Sequence, residues 1–261
     1  PKVLVSDKLS PTAVQIFRDN GIEVDFEPEL GKNKIELLKR IGEYDGLAIR
    51  SATKVTEKIL RNATNLKVIG RAGIGVDNVD LNAASRQGII VMNTPFGNSI
   101  TTAEHAIAMM FAVARQIPQA SESTHAGKWE KSKFMGVELT GKTLGLIGSG
   151  NIGSITASRA LGIKMKVIAY DPFLSEERAA DLGVKKVEFN ELLSTADFIT
   201  LHVPKTDKTA GMINAEAIAK MKPGVRIINC ARGGLVDEYA LAEALKSGQV
   251  AGAAFDVFAV E

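Results

Sequence analysis

The sequence predicts an α/β protein built from two doubly wound parallel sheets. Short apolar runs rich in Val and Ile recur along the chain, and longer stretches with helical spacing lie between them. This alternation stops near residue 100 and restarts near residue 143. Strands that alternate with helices form βαβ units, in which the strands run parallel. The interruption indicates two such sheets in succession.

The predicted strands are short apolar segments, and helical patterns such as PTAVQIFRDN and EYALAEALKSG separate them. In the first half they are KVLVS (2–6), IEVDF (22–26), GLAIR (46–50), LKVIG (66–70) and IIVMN (89–93); in the second half they are TLGLI (143–147), KVIAY (166–170), DFITLHV (197–203), VRIINC (225–230) and AGAAFDV (251–257).

Residues 100–125 interrupt the alternation and are predicted to form one long helix. Its first part, ITTAEHAIAMMFAVARQI, is apolar on most faces. A helix that is apolar nearly all round is usually buried. We therefore expect it between domains or between the subunits of a homodimer or higher homo-oligomer. A core helix inside one domain is the alternative.

Size and composition indicate a globular protein and argue against several partners. The chain has 261 residues and a net charge of +2, with no basic stripe for nucleic acid. One cysteine allows neither an intrachain disulfide nor a cysteine-rich zinc site, and we expect no metal. The longest apolar run, 106–114, is about half of a membrane span. The first residues do not resemble a signal peptide, so we expect a cytoplasmic protein.

A glycine-rich turn, GSGNIG, follows the strand TLGLI directly. Each glycine has its own reason: Gly148 permits a tight turn, Gly150 lets the backbone approach a pyrophosphate, and Gly153 lets the helix pack close on the strand. The pyrophosphate then binds backbone N–H groups at the helix start, around Asn151 and Ile152. A dinucleotide site is predicted here.

An acidic residue follows the next strand, as this kind of site requires. Asp171 comes 18 residues after Gly153, immediately after Tyr170. A carboxylate at this place accepts hydrogen bonds from the adenosine ribose and repels a 2′-phosphate. The sequence therefore favours NAD over NADP. The alternative is a purely structural glycine turn, with Asp171 as an ordinary loop residue.

Five stretches together resemble the D-isomer-specific 2-hydroxyacid dehydrogenase family: GRAGIGVDNVD (70–80), MNTPFGNS (92–99), GKTLGLIGSGNIG (141–153), NCARGGLVDE (229–238) and AGAAFDVF (251–258). The resemblance implies a flavodoxin-like substrate-binding domain in residues 1–95 and a Rossmann NAD-binding domain in residues 96–261. It also implies helices that return to the first domain, which we expect to be absent from these 261 residues.

The resemblance assigns two catalytic residues. Arg232 matches the arginine that binds the substrate carboxylate and C2 oxygen, and a planar guanidinium suits both tasks. Glu261 matches the glutamate that orients a catalytic histidine. That histidine is expected beyond Glu261. Of the histidines present, His105 is expected in packing or an interface, and His125 is expected to be exposed.

The same resemblance gives the remaining cofactor contacts, with His202 expected to line the cofactor site rather than to act as the base. These contacts are Tyr170, His202, Val203, Pro204, Cys230, Ala231 and Asp256. Asp256 matches a residue near the nicotinamide carboxamide. The alternative role for Asp256 is purely structural, as an aspartate that caps backbone groups at the end of its strand.

The substrate contacts are implied in the first half of the chain. Arg50, Ser51 and Asn98 match residues around the phosphate end of a substrate. The Gly73-Ile74-Gly75 loop matches one that offers N–H groups to the carboxylate. Arginine, hydroxyl and amide groups are good phosphate ligands, because an oxyanion takes several charge-assisted bonds at once. Lys131 is a weaker candidate.

The implied reaction is the NAD-dependent oxidation of 3-phospho-D-glycerate to 3-phosphohydroxypyruvate, which begins phosphorylated L-serine biosynthesis. Two alternatives stay open. One is a glyoxylate or hydroxypyruvate reductase of the same family, and the other is an NAD(H)-sensing binding protein similar to a corepressor. Cofactor preference and phosphate discrimination would separate the two enzymes, and nucleotide-dependent binding to a protein without turnover would indicate the third.

Overall fold

The computed structural model describes residues 1–260, and its contacts divide the chain into two compact units. The first unit is Pro1–Asn98, and the second begins at Ser99. The boundary expected from the sequence lies slightly earlier, after residue 95.

The first unit is a five-stranded parallel sheet with helices between the strands, and its strand order is β2-β1-β3-β4-β5. Its elements are β1 (Lys2–Val5), α1 (Pro11–Asp19), β2 (Glu23–Phe26), α2 (Lys34–Arg40), β3 (Gly46–Ile49), α3 (Glu57–Asn62), β4 (Val68–Arg71), α4 (Leu81–Arg86) and β5 (Ile90–Asn93). This is the order of a flavodoxin-like sheet.

The second unit is a six-stranded parallel sheet of order β11-β10-β9-β6-β7-β8. Its elements are α5 (Ser99–Arg115), α6 (Ile117–His125), β6 (Thr143–Ile147), α7 (Asn151–Gly162), β7 (Lys166–Tyr170), α8 (Glu176–Leu182), β8 (Lys185–Lys186), α9 (Phe189–Thr195), β9 (Phe198–Leu201), α10 (Ala215–Ala219), β10 (Val225–Asn229), α11 (Glu238–Ser247) and β11 (Val250–Phe255).

The second sheet has the strand order of a Rossmann fold. Read from β8, the order places β6 centrally, with β7 and β8 on one side and β9, β10 and β11 on the other. Successive strands are added on one side of β6 up to β8 and on its other side from β9 onwards, so the strand order reverses between β6 and β9. Ligands bind beyond the carboxyl ends of the strands at such a switch point. The predicted fold class, with two doubly wound parallel sheets, is confirmed.

Buried apolar side chains cover both faces of the second sheet. Phe198 and Ile199 are adjacent in β9 and fully buried, yet they belong to two different apolar clusters. Successive side chains of a strand point to opposite faces, so each cluster covers one face. This burial explains why the strands appear in the sequence as continuous apolar runs.

Several helices begin at a polar residue whose side chain accepts a backbone N–H. Ser10 accepts from Ala13, just before Pro11 opens α1. Ser175 caps α8 in the same way. That helix ends at Gly183, whose φ of +69° a residue with a side chain rarely adopts.

The predicted long helix 100–125 is wrong: the structure has two helices, α5 and α6, separated by Gln116 in the left-handed conformation. Pro118 explains the break, because a proline ring clashes with the carbonyl four residues earlier, here Ala114. That carbonyl accepts the Val137 N–H instead, at 2.9 Å.

Within the single chain, the two helices differ in burial, and the expected place of this region between domains or subunits stays a prediction. Helix α5 buries one stripe, which contains Ala103, Ala106 and Met110, whereas α6 buries no residue.

Over residues 1–260, no helix combines the length and apolar character that a membrane span needs. The same residues contain no group of three or more His, Cys, Asp or Glu side chains that could hold a metal ion.

We expect Gln116→Gly to raise the free energy of unfolding by about 1 kcal/mol, because glycine adopts a positive φ without the steric cost that other residues have. Denaturant unfolding of the purified variant measures this change. Ala108→Gly, on the exposed side of α5, is the matched control and should lower the same quantity by about 1 kcal/mol. A loss of stability in Gln116→Gly would contradict the strain assigned to this position.

Candidate active site

Residues predicted for cofactor and substrate binding in the second unit follow five different strands. Gly148 follows β6, Asp171 follows β7, His202 follows β9, Arg232 follows β10, and Asp256 follows β11. All these strands are parallel, so their carboxyl ends lie at one edge of the sheet. We call this the carboxyl edge of the unit. The structure therefore collects at one edge residues that lie far apart in the sequence.

The glycine turn leaves no room for a side chain at its first and third glycines. Gly148 has a φ of +91°, and a Cβ there would lie 2.8 Å from the His202 carbonyl oxygen. A Cβ on Gly153 would lie 2.1 Å from the Gly148 carbonyl oxygen. Both glycines are therefore required by the packing of the protein itself.

Gly150 differs, because a Cβ on it would meet no protein atom within 4 Å. It lies in an extended conformation immediately before Asn151, the first residue of α7. The first N–H groups of a helix have no carbonyl partner within the helix, and their positive end attracts an anion. The open space beside Gly150 and these N–H groups suits a pyrophosphate, and Asn151 and Ile152 are the first two residues of α7.

Asp171 is held by three hydrogen bonds. Its Oδ2 accepts from the backbone N–H of Ser149 at 2.8 Å and from the Ser149 hydroxyl at 2.9 Å. Its Oδ1 accepts from the Phe173 N–H at 2.9 Å. Partial burial acts to raise the pKa of Asp171, but these hydrogen bonds and Lys186 outweigh it, so the pKa lies below its usual value. The carboxylate is ionised and has a fixed orientation.

Tyr170 and Val203 lie beside the glycine turn, and the Tyr170 carbonyl accepts the Gly148 N–H at 3.0 Å. Tyr170 is half-buried and its ring packs against Phe189, with 5.2 Å between the ring centroids. Val203 Cγ1 lies 2.7 Å from the position that a Cβ on Gly148 would take, so it closes the turn from the side of β9. Pro204 is exposed.

His202 is a neutral imidazole in this fold. Its Nε2 lies 3.0 Å from Thr200 Oγ1, and its Nδ1 is shielded from solvent with no hydrogen-bond partner among the described residues. Burial lowers the pKa of His202 to about 4. The imidazole is therefore a weak proton acceptor at neutral pH.

Asn229, at the end of β10, fixes the loop that carries Arg232. Its Oδ1 accepts the Ala231 N–H at 3.1 Å, and its Nδ2 donates to the Arg232 carbonyl at 2.9 Å. The half-buried Arg232 side chain donates from Nη1 to the Ala231 carbonyl at 2.7 Å. Asn229 itself is buried, so the loop is tied to the sheet core.

Cys230 and Asp256 are neighbours at the same edge. Burial, with a smaller contribution from the Asp256 carboxylate, raises the pKa of the Cys230 thiol to about 12. His105 lies on α5 with Nε2 3.6 Å from Asp256 Oδ1. The His105 side chain is 44% exposed and faces a carboxylate, so it is not a core residue of this chain, and its expected place in an interface stays a prediction.

Glu261 lies outside the described residues. His125 is exposed at the end of α6, as expected, and its Nδ1 lies 2.8 Å from the Ser121 carbonyl oxygen.

Asp7 organises the carboxyl edge of the first unit. It follows β1, is buried, and accepts the N–H groups of Arg50 at 2.6 Å and Thr53 at 3.2 Å. The Thr53 hydroxyl also lies 2.8 Å from the Ser6 hydroxyl. The segment after β3, which contains Arg50 and the exposed Ser51, is thus fastened to the segment after β1.

Asn78 holds the same segment from the other side. Its Nδ2 donates to the Arg50 and Thr53 carbonyls, both at 2.7 Å, and its Oδ1 accepts from Arg71 Nε at 3.1 Å. The Arg50 backbone is therefore held at both its N–H and its C=O, while its side chain is exposed. One amide links the segments after β3 and β4.

The Gly73–Gly75 loop follows β4 and is half-buried. The Gly73 N–H donates to the Arg71 carbonyl at 3.0 Å, so in this conformation it is already engaged. The Ile74 carbonyl accepts from Asn93 Nδ2 at 2.7 Å. Asn98, the last residue of the first unit, is exposed.

Four residues that position these loops were not recognised in the sequence: Asp7, Asn78, Ser149 and Asn229. For Asp7 and Asn229 a signal existed, because each is a polar residue at the carboxyl end of an apolar strand. For Asn78 none existed, since its role depends on contacts with residues more than twenty positions away.

Comparison with known families identifies the chain. Residues 107–261 match the model of the D-isomer specific 2-hydroxyacid dehydrogenase, NAD binding domain. This match covers more than half of the chain, including the glycine turn and Arg232. The chain belongs to the D-isomer specific 2-hydroxyacid dehydrogenase family, and its second unit is the NAD-binding domain of that family.

Two curated relatives are D-3-phosphoglycerate dehydrogenases. The protein of Archaeoglobus fulgidus is 52% identical over 260 residues, which cover 100% of this chain and 49% of the relative. The protein of Synechocystis sp. is 53% identical over 260 residues, again 100% of this chain and 46% of the relative. The chain spans about half the length of the curated relatives it matches.

Two solved dehydrogenase or reductase structures are similar to this chain over nearly its whole length. A glyoxylate reductase from Paecilomyes thermophila matches with a TM-score of 0.90 and 32% identity, covering 100% of this chain and 82% of that one. A D-lactate dehydrogenase from Aquifex aeolicus, complexed with NAD and lactic acid, matches with a TM-score of 0.88 and 30% identity, covering 99% and 77%.

The three glycine positions give a graded prediction. Gly150→Ala should leave the free energy of unfolding within about 0.5 kcal/mol of wild type, because its Cβ meets no protein atom. It should weaken NADH binding about tenfold or more, since a methyl group there blocks the approach of the backbone to the pyrophosphate. Fluorescence titration with NADH and denaturant unfolding measure the two quantities.

Gly153→Ala and Gly162→Ala are the matched controls for that variant, both in α7. Gly153→Ala should cost about 2 kcal/mol of stability or more, because its Cβ overlaps a backbone oxygen. Gly162→Ala, with no atom within 4 Å of its Cβ, should be neutral or stabilising by up to about 1 kcal/mol. Equal NADH affinity in Gly150→Ala and wild type would refute the pyrophosphate assignment.

His202 should make stability depend on pH in a defined window. Its pKa is about 4 when folded and 6.5 as the ordinary value, so between these pH values the unfolded chain binds the extra proton. The contribution is complete above pH 6.5 and is lost as the pH falls towards 4, by at most about 3 kcal/mol. His202→Gln, which cannot titrate, should flatten the unfolding free energy across this window. The exposed His125→Gln serves as the control, and an unchanged slope in His202→Gln would show that another group is responsible.

Proposed function

We propose that the protein is an NAD-dependent dehydrogenase that converts 3-phospho-D-glycerate to 3-phosphohydroxypyruvate. The observation that carries the cofactor assignment is the glycine turn at the switch point between β6 and β9. Gly148 and Gly153 are explained by the protein's own packing, whereas Gly150 faces open space at the start of α7. Family membership supports the same cofactor.

Bound NAD would supply the acceptor for a hydride from C2 of the substrate. The chain's contribution on the adenosine side is Asp171, an ionised carboxylate whose position suits a ribose diol and disfavours a 2′-phosphate. The N–H groups at the start of α7, at Asn151 and Ile152, would bind the pyrophosphate.

At the reacting end we assign Arg232 to the substrate carboxylate and C2 oxygen. Its backbone is fixed through Asn229, and a guanidinium has five N–H donors in a planar fork, with which it can bind both a carboxylate and a developing carbonyl. Asp256, with Cys230 and Ala231 from the preceding strand end, would contact the nicotinamide end. Their support is position at the carboxyl edge and resemblance to the family.

His202 is assigned to the cofactor pocket and not to proton transfer. With a pKa of about 4, its imidazole is unprotonated at neutral pH and has little affinity for the hydroxyl proton. The family resemblance gives proton transfer to a histidine oriented by Glu261, and we retain that role for Glu261 as part of the proposal.

In the first unit we propose that Arg50 and Ser51 bind the phosphate, with Asn98 as a further ligand. Asp7 and Asn78 fix the main chain of this segment, so the exposed Arg50 guanidinium starts from a rigid anchor. The Gly73-Ile74-Gly75 loop would bind the carboxylate. For this the Gly73 N–H has to leave the Arg71 carbonyl, and the Ile74 and Gly75 N–H groups are the more direct donors.

The curated relatives and the proposed phosphate ligands Arg50, Ser51 and Asn98 support 3-phosphoglycerate as the substrate. Relatives at 52% and 53% identity are D-3-phosphoglycerate dehydrogenases. The reaction would begin phosphorylated L-serine biosynthesis. A glyoxylate or hydroxypyruvate reductase is the second enzyme candidate, favoured by the likeness to a solved glyoxylate reductase at 32% identity. The lower identity and the phosphate set make it the weaker one.

We also propose a cytoplasmic homodimer or higher homo-oligomer. Helices α5 and α6 expose large apolar side chains, among them Ile100, Phe111 and Ile117, which are 57%, 38% and 52% exposed. Exposed apolar side chains in such density are typical of an interface. Sedimentation at micromolar concentration tests this, and a monomer would contradict it.

The function is tested by mixing the protein with NAD and 3-phosphoglycerate and following NADH formation. We expect these 261 residues to bind NADH in the titration. Oxidation of 3-phosphoglycerate, in preference to glycerate and glycolate, is expected of a protein that also carries the histidine assigned to proton transfer. NADH binding that depends on Asp171, combined with a preference for glycolate over 3-phosphoglycerate as the hydride donor, would select the reductase. Absence of NADH binding by folded protein would refute the cofactor assignment.

Arg50→Ala should lower kcat/KM for 3-phosphoglycerate by about tenfold to a hundredfold, because it removes a charge-assisted contact to phosphate. The same variant should change kcat/KM for glycerate by less than about threefold, since glycerate has no phosphate. Arg61→Ala, an exposed arginine on α3 paired with Glu57, is the control and should change neither. An unchanged ratio between the two substrates in Arg50→Ala would remove Arg50 from the phosphate site.

A further inference from the structure

Ser149 is the residue between Gly148 and Gly150, and it makes two hydrogen bonds to a single atom. Its backbone N–H and its hydroxyl both donate to Asp171 Oδ2, at 2.8 and 2.9 Å. The direction of the second bond is certain from chemistry, because an ionised carboxylate only accepts. The side chain in the middle of the glycine turn thus contacts the carboxylate assigned to the adenosine ribose.

The carboxylate has about four lone-pair positions, two on each oxygen. In the free protein, the two Ser149 donors and the Phe173 N–H fill three of them. A ribose diol brings two hydroxyl donors. Five donors exceed four positions, so one protein donor has to leave Asp171 when both ribose hydroxyls bind.

Only one of the three protein donors can leave without moving the backbone. The Ser149 N–H is held by the turn, since the neighbouring Gly148 N–H donates to the Tyr170 carbonyl at 3.0 Å. The Phe173 N–H is held by the turn that Leu174 closes on the Asp171 carbonyl at 3.1 Å. The Ser149 hydroxyl needs only a rotation about χ1, and the residue is half-buried, so the hydroxyl can reach water.

We propose that the Ser149 hydroxyl occupies, in the free protein, the position on Asp171 that one adenosine ribose hydroxyl takes in the complex. Binding of the cofactor displaces it. This inference rests on the proposed NAD site. It makes Ser149 a residue that tunes cofactor affinity through Asp171, and it separates the role of the Ser149 side chain from that of its backbone.

The test compares NADH affinity in Ser149→Ala and wild type. The variant keeps both backbone donors on Asp171 and removes only the competing hydroxyl, so NADH should bind roughly three- to tenfold more tightly. Ser149→Thr retains a hydroxyl and should restore an affinity near that of wild type. A residue that merely supported the turn would give weaker binding on loss of its hydrogen bond.

NADH analogues with 2′-deoxyadenosine or 3′-deoxyadenosine provide a second readout. Each brings one ribose hydroxyl, which fills the fourth position on Asp171 without displacing Ser149. Ser149→Ala should therefore bind either analogue with wild-type affinity, so the gain appears only with the complete diol. A gain of equal size for NADH and the analogues would overturn the proposal, as would unchanged or weaker NADH binding by Ser149→Ala.

Asp171→Ala distinguishes this failure from failure of the NAD site itself. If wild type does not bind NADH, or if Asp171→Ala binds it with unchanged affinity, the cofactor site is wrong and the Ser149 inference falls with it. If Asp171→Ala weakens NADH binding while Ser149→Ala does not strengthen it, the NAD site stands and only the displacement is refuted.

Discussion

Helix α7 can begin at the carboxyl end of β6 only because no side chain stands between Gly153 and the Gly148 carbonyl oxygen. A methyl group there would overlap that oxygen. This close approach fixes where the helix starts and therefore where its unpaired N–H groups point. It also brings the turn against His202 and Val203, so the segment after β9 takes its position from the same contact. The loops at the second unit's carboxyl edge are therefore arranged around a helix start that requires glycine at position 153, because its side chain is only a hydrogen atom.

In both units, hydrogen bonds between polar side chains and the main chain hold the loops at the carboxyl edge of the sheet. In the second unit, the Asn229 side chain bonds main-chain groups of the loop that directly follows it. In the first unit, the side chains of Asn78 and Asp7 bond main-chain groups of a neighbouring segment. Backbone groups near a sheet edge need partners where no strand continues, and an amide offers both a donor and an acceptor. The roles proposed for the Arg50 and Arg232 side chains differ, whereas their backbones are fixed in a similar way.

The sequence predicted the fold well because parallel strands buried on both faces are continuous apolar runs, as in TLGLI and DFITLHV. All ten predicted strands are present, whereas β8 was missed because Lys185 and Lys186 have no apolar pattern. The prediction of one long helix was wrong because apolar residues recur as far as Ile117, whereas Pro118 breaks the helix by its clash with the carbonyl of Ala114. Local rules were sufficient to show this break.

The candidate site was predictable where a residue acts through a motif and not where it acts through distant contacts. Gly148, Gly150, Gly153 and Asp171 follow from spacing alone. Asn78 and the Ser149 hydroxyl do not, because their partners are defined only once the chain is folded. The different reasons for the three glycines also needed the structure, since the sequence cannot distinguish a glycine required by packing from one that leaves space.

The single cysteine, Cys230, is buried, and burial makes its thiol less acidic. With a pKa near 12, almost none of the thiol is present as the nucleophilic thiolate at neutral pH. Peroxides and alkylating reagents should therefore react with it slowly as long as the second sheet is intact. Because no other thiol competes, the rate of Cys230 labelling reports directly on opening of the strand end beside Arg232.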